Sequence, residues 1–300
     1  MRLFLSTQPK SQGVIFYTKL FVLGPIISLL RLPFVLLFGG LLFGLDALVS
    51  FVPVSGPRRM LRRLVHLLFG GLLLLSLGLR TSVSYYPTRN RDQGKAKPGT
   101  KVTSQDLIIA NHSSYLDILY FAYRYSPQFT TISPSGLTLA QVSLFEAFKE
   151  SITDIRPQTS NAMPLSKLRK LAQQNNSGPV LVFPEGTTTN GRIIIGVQSV
   201  LDAVPEPKTV NLISIRYPFE YQTPTFTGGN FWLHLFKLTG QVANYMEVVH
   251  AMPDVVPNGD KDARGYLDDS LQVLSASSKL SLGRCLRDTK IQFWNKYYEK

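Results

Sequence analysis

Three apolar runs dominate the first eighty residues: positions 21–30, 32–54 and 64–79, parted by Arg31 and by the basic stretch Ser55-Gly-Pro-Arg-Arg-Met-Leu-Arg-Arg63. A helix needs ~20 apolar residues to cross a bilayer. Residues 32–54 reach that length with Asp46 their one ionisable group, and residues 64–79 fall short. Basic residues flank the runs on every side, which gives no orientation bias. Two arrangements follow: a spanning hairpin, or a monotopic, re-entrant membrane-embedded helical hairpin whose arginines meet anionic head groups. The second is the reading we carry forward. The apolar region is too long, and begins too far in, for a cleaved secretory signal.

The pattern changes after residue 102. Residues 88–103, rich in Arg, Lys, Gly, Pro and Gln, read as an exposed linker. Short β-favouring runs at 107–110, 129–132, 180–183, 210–215 and 245–249 then alternate with helical stretches at 115–125, 138–149, 164–175 and 196–203. Such alternation predicts an α/β fold, a mixed sheet flanked by helices. The chain thus divides into membrane-associated helices (1–80), an α/β domain (81–255) and a C-terminal helical extension (256–300). Within the domain, the aromatic run Asn230-Phe-Trp-Leu-His-Leu-Phe236 reads as core, and Lys167, Arg169 and Lys170 as a solvated helix face.

Composition narrows the partners. The chain has 44% hydrophobic and 17% charged residues with a net charge of +13, so it seeks anions: nucleic acid, a membrane surface or phosphorylated substrates. Apolar residues crowd the first eighty positions, which nucleic-acid binding does not explain. The single cysteine, Cys285, excludes an internal disulfide, and no Cys/His spacing resembles a zinc site. No metal is expected, and an active domain facing the cytosol is.

Two segments carry chemistry. In Asn111-His-Ser-Ser-Tyr-Leu-Asp117, which follows the strand at 107–110, Ser113 or Ser114 is a candidate helix cap. His112 then lies in the turn and Asp117 in the first helical turn, so the ring can fold back on the carboxylate. A carboxylate-held imidazole makes a general base. With four histidines and 19 acids in the chain, an accidental pair at this spacing is a roughly one-in-four event, so the pair needs a substrate site beside it. The second segment, Val180-Leu-Val-Phe-Pro-Glu-Gly-Thr-Thr-Thr-Asn-Gly-Arg192, offers one. It is a buried strand that ends abruptly in a polar turn whose amides and threonine hydroxyls suit an anion. Arg192 is a candidate phosphate fork.

His112-Ser-Ser-Tyr-Leu-Asp117 followed about seventy residues later by Phe183-Pro-Glu-Gly-Thr187 resembles the signature of the glycerolipid acyltransferases, which include the 1-acylglycerol-3-phosphate and lysophospholipid acyltransferases. The resemblance covers roughly residues 80–255. It implies a His112–Asp117 general base, acyl-CoA as co-substrate with no other cofactor, direct transfer to a lysophospholipid hydroxyl, and tethering by N-terminal helices. Glu185, Gly186 and Thr187, with the adjoining turn amides, are then expected to hold the acceptor. Ser151-Ile-Thr-Asp-Ile-Arg156 is similar to the block ending in the acceptor-binding arginine, which makes Arg156 the candidate for the acceptor phosphate. Asn211-Leu-Ile-Ser-Ile-Arg-Tyr-Pro218 stands in the place of the last block without its usual valine-proline opening. The lysophosphatidate enzymes carry arginine directly after the Phe-Pro-Glu-Gly-Thr run, where this chain has Thr188. Glu185-Gly-Thr-Thr-Thr-Asn190 looks instead like the lysophosphatidylcholine and lysophosphatidylethanolamine branch. The neighbouring functions are a glycerol-3-phosphate acyltransferase, a CoA-independent transacylase, and an idle membrane-shaping or tethering protein. Endoplasmic reticulum and lipid-droplet surfaces both suit a monotopic hairpin.

Overall fold

The computed structural model describes residues 19–86, 102–133, 136–153, 161–196, 200–219, 222–226, 228–252, 255–257 and 262–283. Nearly all of the expected linker, Cys285 and Arg156 lie outside them. The first apolar runs form one helix, α1 (Gly24–Val49), entered through a π-helical turn at Lys19–Leu23. With that turn's last residues it makes a 29-residue segment, Phe21–Val49, of mean hydropathy 2.2, long and apolar enough to cross a membrane. Its buried positions are Gly24, Ser28, Val35, Leu42, Asp46 and Val49, a single face at close to heptad spacing. Ile26, Leu29, Leu30, Phe34, Leu36, Leu37 and Leu48 are exposed on the rest of it.

The polar interruptions in this apolar helix are its docking points. Arg31 donates from Nη1 to the carbonyls of Thr239 (3.3 Å) and Gln241 (2.6 Å), and from Nη2 to Val242 (3.0 Å). Ser28 Oγ donates to the Phe236 carbonyl at 2.6 Å. Phe236 and Thr239 lie in the last turn of another helix, Phe231–Thr239, and Gln241 and Val242 in the segment that follows it. The basic stretch after α1 is helical too: α2 (Ser55–Val65) passes through a π-helical turn at His66–Gly70 into α3 (Gly71–Ser76). All three pieces pack on α1.

Gly78, at φ +68°, ends this helical region and turns the chain into β1 (Leu79–Tyr86). β2 (Leu107–Ala110), α4 (Tyr115–Tyr125), β3 (Gln128–Ile132), β4 (Leu139–Gln141), α5 (Leu144–Thr153), α6 (Leu165–Gln174), β5 (Val180–Val182), β6 (Ile193–Ile194), β7 (Val210–Arg216), α7 (Phe231–Thr239), β8 (Asn244–Ala251), α8 (Ala263–Ser278) and β9 (Ser281–Leu282) follow. Among the described residues, seven strands make a mixed sheet in the order β1-β8-β7-β2-β5-β3-β4. β2 lies at its centre, parallel to β5 and β7; β8 and β4 run antiparallel to β7 and β3.

The central strand shows why the sheet is covered on both faces. Leu107, Ile108, Ile109 and Ala110 are all 0% exposed. Ile108 and Ala110 join a core shared with α4, α5 and the N-terminal helices, while Leu107 and Ile109 join one formed with α6 and α8. Burying one such Leu or Ile side chain stabilises by roughly 1.5–3 kcal/mol. α8, expected as an extension beyond residue 255, packs on β7 and β8.

Two expected helices differ. The stretch 138–149 begins as edge strand β4, and its helix starts only at Leu144. There Ser143 and Glu146 form a reciprocal cap: Glu146 N donates to Ser143 Oγ (3.2 Å) and Ser143 N to Glu146 Oε2 (2.7 Å). Of the stretch 196–203, residues 200–203 are not helical. Asp202 instead accepts the Ser166 amide at 3.1 Å, capping the start of α6. The aromatic run expected in the core is split by its helix: His234 and Leu235 are buried, whereas Trp232 is 63% exposed.

Candidate active site

Three neighbouring parallel strands, β7, β2 and β5, end at one edge of the sheet. The residues that follow them, Tyr217, His112 and Glu185, meet there. This carboxyl edge is where α/β folds assemble sites. Asn111 steers the chain off β2 by clamping β7, donating from Nδ2 to the Ile215 carbonyl (2.9 Å) and accepting the Ile215 amide on Oδ1 (2.7 Å).

α4 starts with a capping box. Ser114 Oγ accepts the Leu116 amide (3.2 Å), and Asp117 Oδ2 accepts the amides of Ser113 (2.7 Å) and Ser114 (2.9 Å). The same oxygen lies 3.0 Å from His112 Nδ1, and Tyr217 donates its phenol to Oδ1. Burial and the neighbouring Asp117 charge raise the Tyr217 pKa well above its usual value, so the phenol stays a neutral donor. Asp117 is 0% exposed, and four donors converge on it, the environment of an ionised carboxylate. A carboxylate only accepts, so the proton of neutral His112 sits on Nδ1 and Nε2 keeps its lone pair. The Phe183 ring stacks on the imidazole at 4.2 Å and 18°, which fixes the ring plane.

His112 Nε2 faces a hydroxyl, Ser151 Oγ on α5, at 3.0 Å. Ser151 Oγ also lies 2.9 Å from the Ala147 carbonyl, so its single proton has two acceptors. The cavity at this point is only about 30 Å³, room for roughly one water. It is lined by His112, Ser151, Phe183, Gly186, Thr187 and Thr188, among others.

The expected acceptor residues separate here. Gly186, at φ +64°, makes the sharp turn after β5, and it and Thr187 reach the cavity. Glu185 does not. It is 0% exposed, and its carboxylate bridges the two motifs, taking the His112 amide on Oε1 (2.8 Å) and the Ile195 amide on Oε2 (3.0 Å). Buried and bonded to the main chain on both sides, it braces the His112 turn. Arg192 is exposed and outside the residues lining the cavity.

Residues 91–216 match the family described as Acyltransferase. That span covers both the His112–Asp117 segment and the Glu185 turn, and the chain is similar there to acyltransferases of glycerolipids. Its relatives include a lysophospholipid acyltransferase of Arabidopsis thaliana (LPEAT2), 27% identical over 55% of this chain and 30% of the relative. Lysophosphatidylcholine acyltransferase 2 of Danio rerio is 26% identical over 87% of this chain and 49% of its own length. A putative lysophosphatidic acid:oleoyl-CoA acyltransferase of Schizosaccharomyces pombe is 28% identical over 49% and 47%. The chain thus spans at most about half the length of these relatives. No solved structure matches it.

Reading along the chain missed three features of this site: Ser151, Tyr217 and the stacking role of Phe183. Ser151 stands 39 positions from His112, and Tyr217 stands 100 from Asp117. Sequence signals for them were thin, since a serine on a helix and a tyrosine ending a strand are commonplace.

Proposed function

We propose that this chain is an O-acyltransferase that esterifies the free hydroxyl of a lysophospholipid from acyl-CoA, with His112 as the general base. The observation that carries the reading is the His112 imidazole, held by Asp117 on Nδ1, with Nε2 turned to a hydroxyl at 3.0 Å. Ser151 marks the position that the acceptor hydroxyl takes. Nε2 removes the proton as the acceptor oxygen attacks the thioester carbonyl carbon, and Asp117 stabilises the imidazolium. When the carbon–sulfur bond breaks, the proton passes from Nε2 to the CoA thiolate, and the enzyme returns to its starting form. Glu185, Tyr217 and Phe183 act through His112 and Asp117 by holding them in place. Arg156 is assigned to the acceptor phosphate on the resemblance of its block alone; Arg192, outside the residues lining the cavity, is given no contact with the reacting atoms.

Thr188 in place of arginine, and relatives named for lysophospholipids and lysophosphatidylcholine, favour a zwitterionic acceptor over lysophosphatidate. The apolar face of α1 and the exposed Trp232 and Leu233 rest on a bilayer in this reading, with anionic head groups against the arginines of α2 and the active domain in the cytosol. Its membrane is that of the endoplasmic reticulum or a lipid droplet.

The test supplies labelled oleoyl-CoA and a panel of lysophospholipids to membranes holding the wild-type chain or His112→Ala. Labelling of one acceptor class by wild type, lost by at least about a thousandfold in the variant, is expected. Full activity of a folded, membrane-bound His112→Ala chain would falsify the mechanism, and product formed only from phospholipid donors would move the activity to transacylation.

A further inference from the structure

A second cavity, of about 620 Å³, lies at the opposite end of β3 and α5 from His112. Thr130–Ile132 line the catalytic cavity, and Gln128 and Phe129 line this one. At ~3.3 Å per strand residue, the two lie on the order of 10 Å apart along β3. The second cavity opens between the α1–α2 corner and the sheet edge, and its lining is polar: Arg62, Gln128, Gln141, Ser143, Asn161 and Lys167.

Its electrostatics are arranged for an anion. Asp46 is its one lining carboxylate, and Oδ1 is already shared by Arg62 Nε (3.0 Å) and His66 Nε2 (3.1 Å). His66 is locked from its other side by Ser126 Oγ at 2.9 Å, and Arg62 Nη2 donates to Ser50 at 2.9 Å. Arg62 Nη1 and the Lys167 ammonium bond nothing among the described residues, so two donors of positive charge remain for a ligand. Gln128 is only 6% exposed, and its side-chain amide has no partner among the described residues. Its amide faces the cavity, where it is open to a ligand. On the α1–α2 corner and on α2, which contribute Ser50 and Arg62 to this lining, Phe51 is 83% exposed, Val54 59% and Met60 75%.

We infer that this cavity is a second lipid site, separate from the catalytic one, which takes the phosphodiester head group of an anionic glycerophospholipid. Lys167 and Arg62 Nη1 meet the phosphate, the amide of Gln128 meets the head-group oxygens, and the acyl chains leave over Phe51, Val54 and Met60 into the bilayer. The inference does not depend on the proposed reaction, because its readout is binding.

The full chain in neutral detergent micelles is incubated with phosphatidylglycerol, with phosphatidylcholine, or with inorganic phosphate, and adducts are counted by native mass spectrometry. One retained phosphatidylglycerol per chain is expected, held more tightly than phosphatidylcholine. Lys167→Glu weakens it about tenfold, since a basic residue near anionic lipid contributes on the order of 1 kcal/mol and reversal also adds repulsion. Gln128→Leu weakens it as well, with thermal melts reporting that each variant is folded. Lys167 is exposed, so its variant keeps the test decisive where Gln128→Leu unfolds. Wild-type retention of the lipid by a folded Lys167→Glu chain overturns the inference. So does inorganic phosphate binding without any phosphatidylglycerol adduct.

Discussion

Replacing Glu185 with glutamine exchanges one carboxylate oxygen for an NH2 group and leaves the shape nearly unchanged. The wild-type carboxylate accepts two main-chain amides, from His112 at 2.8 Å and Ile195 at 3.0 Å, in a fully buried position. Glutamine has one acceptor oxygen, so one of those amides must face another donor. A hydrogen bond to a charged group contributes ~1.5–3 kcal/mol, and a stranded buried donor costs ~1–3 kcal/mol, so a net loss of about 2–4 kcal/mol follows after partial relaxation. For a chain of this size that lowers Tm by roughly 3–6 °C. The loosened turn carries His112, and displacement of a catalytic group by ~1 Å costs about a hundredfold. The expected kinetics are therefore a fall in kcat with little change in acceptor KM. Thermal melts and steady-state rates on the same preparation give both numbers. If Tm holds within a degree and acceptor KM alone rises, Glu185 touches the substrate and the bracing role assigned to it is wrong.

Tyr217→Phe removes one of the four donors on Asp117, and kcat should fall about tenfold with KM unchanged; steady-state kinetics in acceptor would show otherwise by a shift confined to KM. Ser151→Ala clears the hydroxyl from His112 Nε2, so acceptor KM should drop while kcat stays within about twofold, an internal competitor having been removed. A collapse of kcat to the His112→Ala level would instead put Ser151 in the chemistry. Burial, reinforced by nearby Lys237, holds His234 at about 4 in the folded chain, against ~6.5 when unfolded. The unfolded chain thus takes up the proton first as pH falls. This contribution to stability is present in full above pH ~6.5 and declines toward pH 4 by up to about 3 kcal/mol. Melts over that range should show a shallower pH slope in His234→Gln, and an identical slope would remove His234 as its source.

Much of the strand–helix order was legible along the chain because it is written in local periodicity. β2 and α4 fall where the pattern places them, since an unbroken run of Leu-Ile-Ile-Ala and a serine-capped amphipathic helix each carry their own signal. The same locality explains the misplaced helix at 138–149. Its apolar positions suit a strand or a helix alike, and the Ser143–Glu146 cap, together with pairing to β3, decides the boundary. Of the site, the His112–Asp117 pair was readable because a cap residue and its helix lie within one turn of each other.

Partners across the sheet carry no such mark. Tyr217 reaches Asp117 only because β7 pairs with β2, and Glu185 reaches the His112 amide only because β5 pairs on the other side. Glu185 is the example: along the chain it is a charged residue in a polar turn, and the fold buries it against two backbone amides. Arg31, Asp46 and His66 likewise look like flaws in an apolar sequence. Packing turns them into the contacts that set α1 on the domain and, at Asp46 and His66, into one wall of a polar cavity. Apolar runs, periodic segments and a histidine and an aspartate sharing a helix start are all visible along the chain. What faces Nε2, what braces the base and which polar groups gather at the second cavity depend on the fold, because side chains far apart in sequence come within hydrogen-bond range only when strands register against one another.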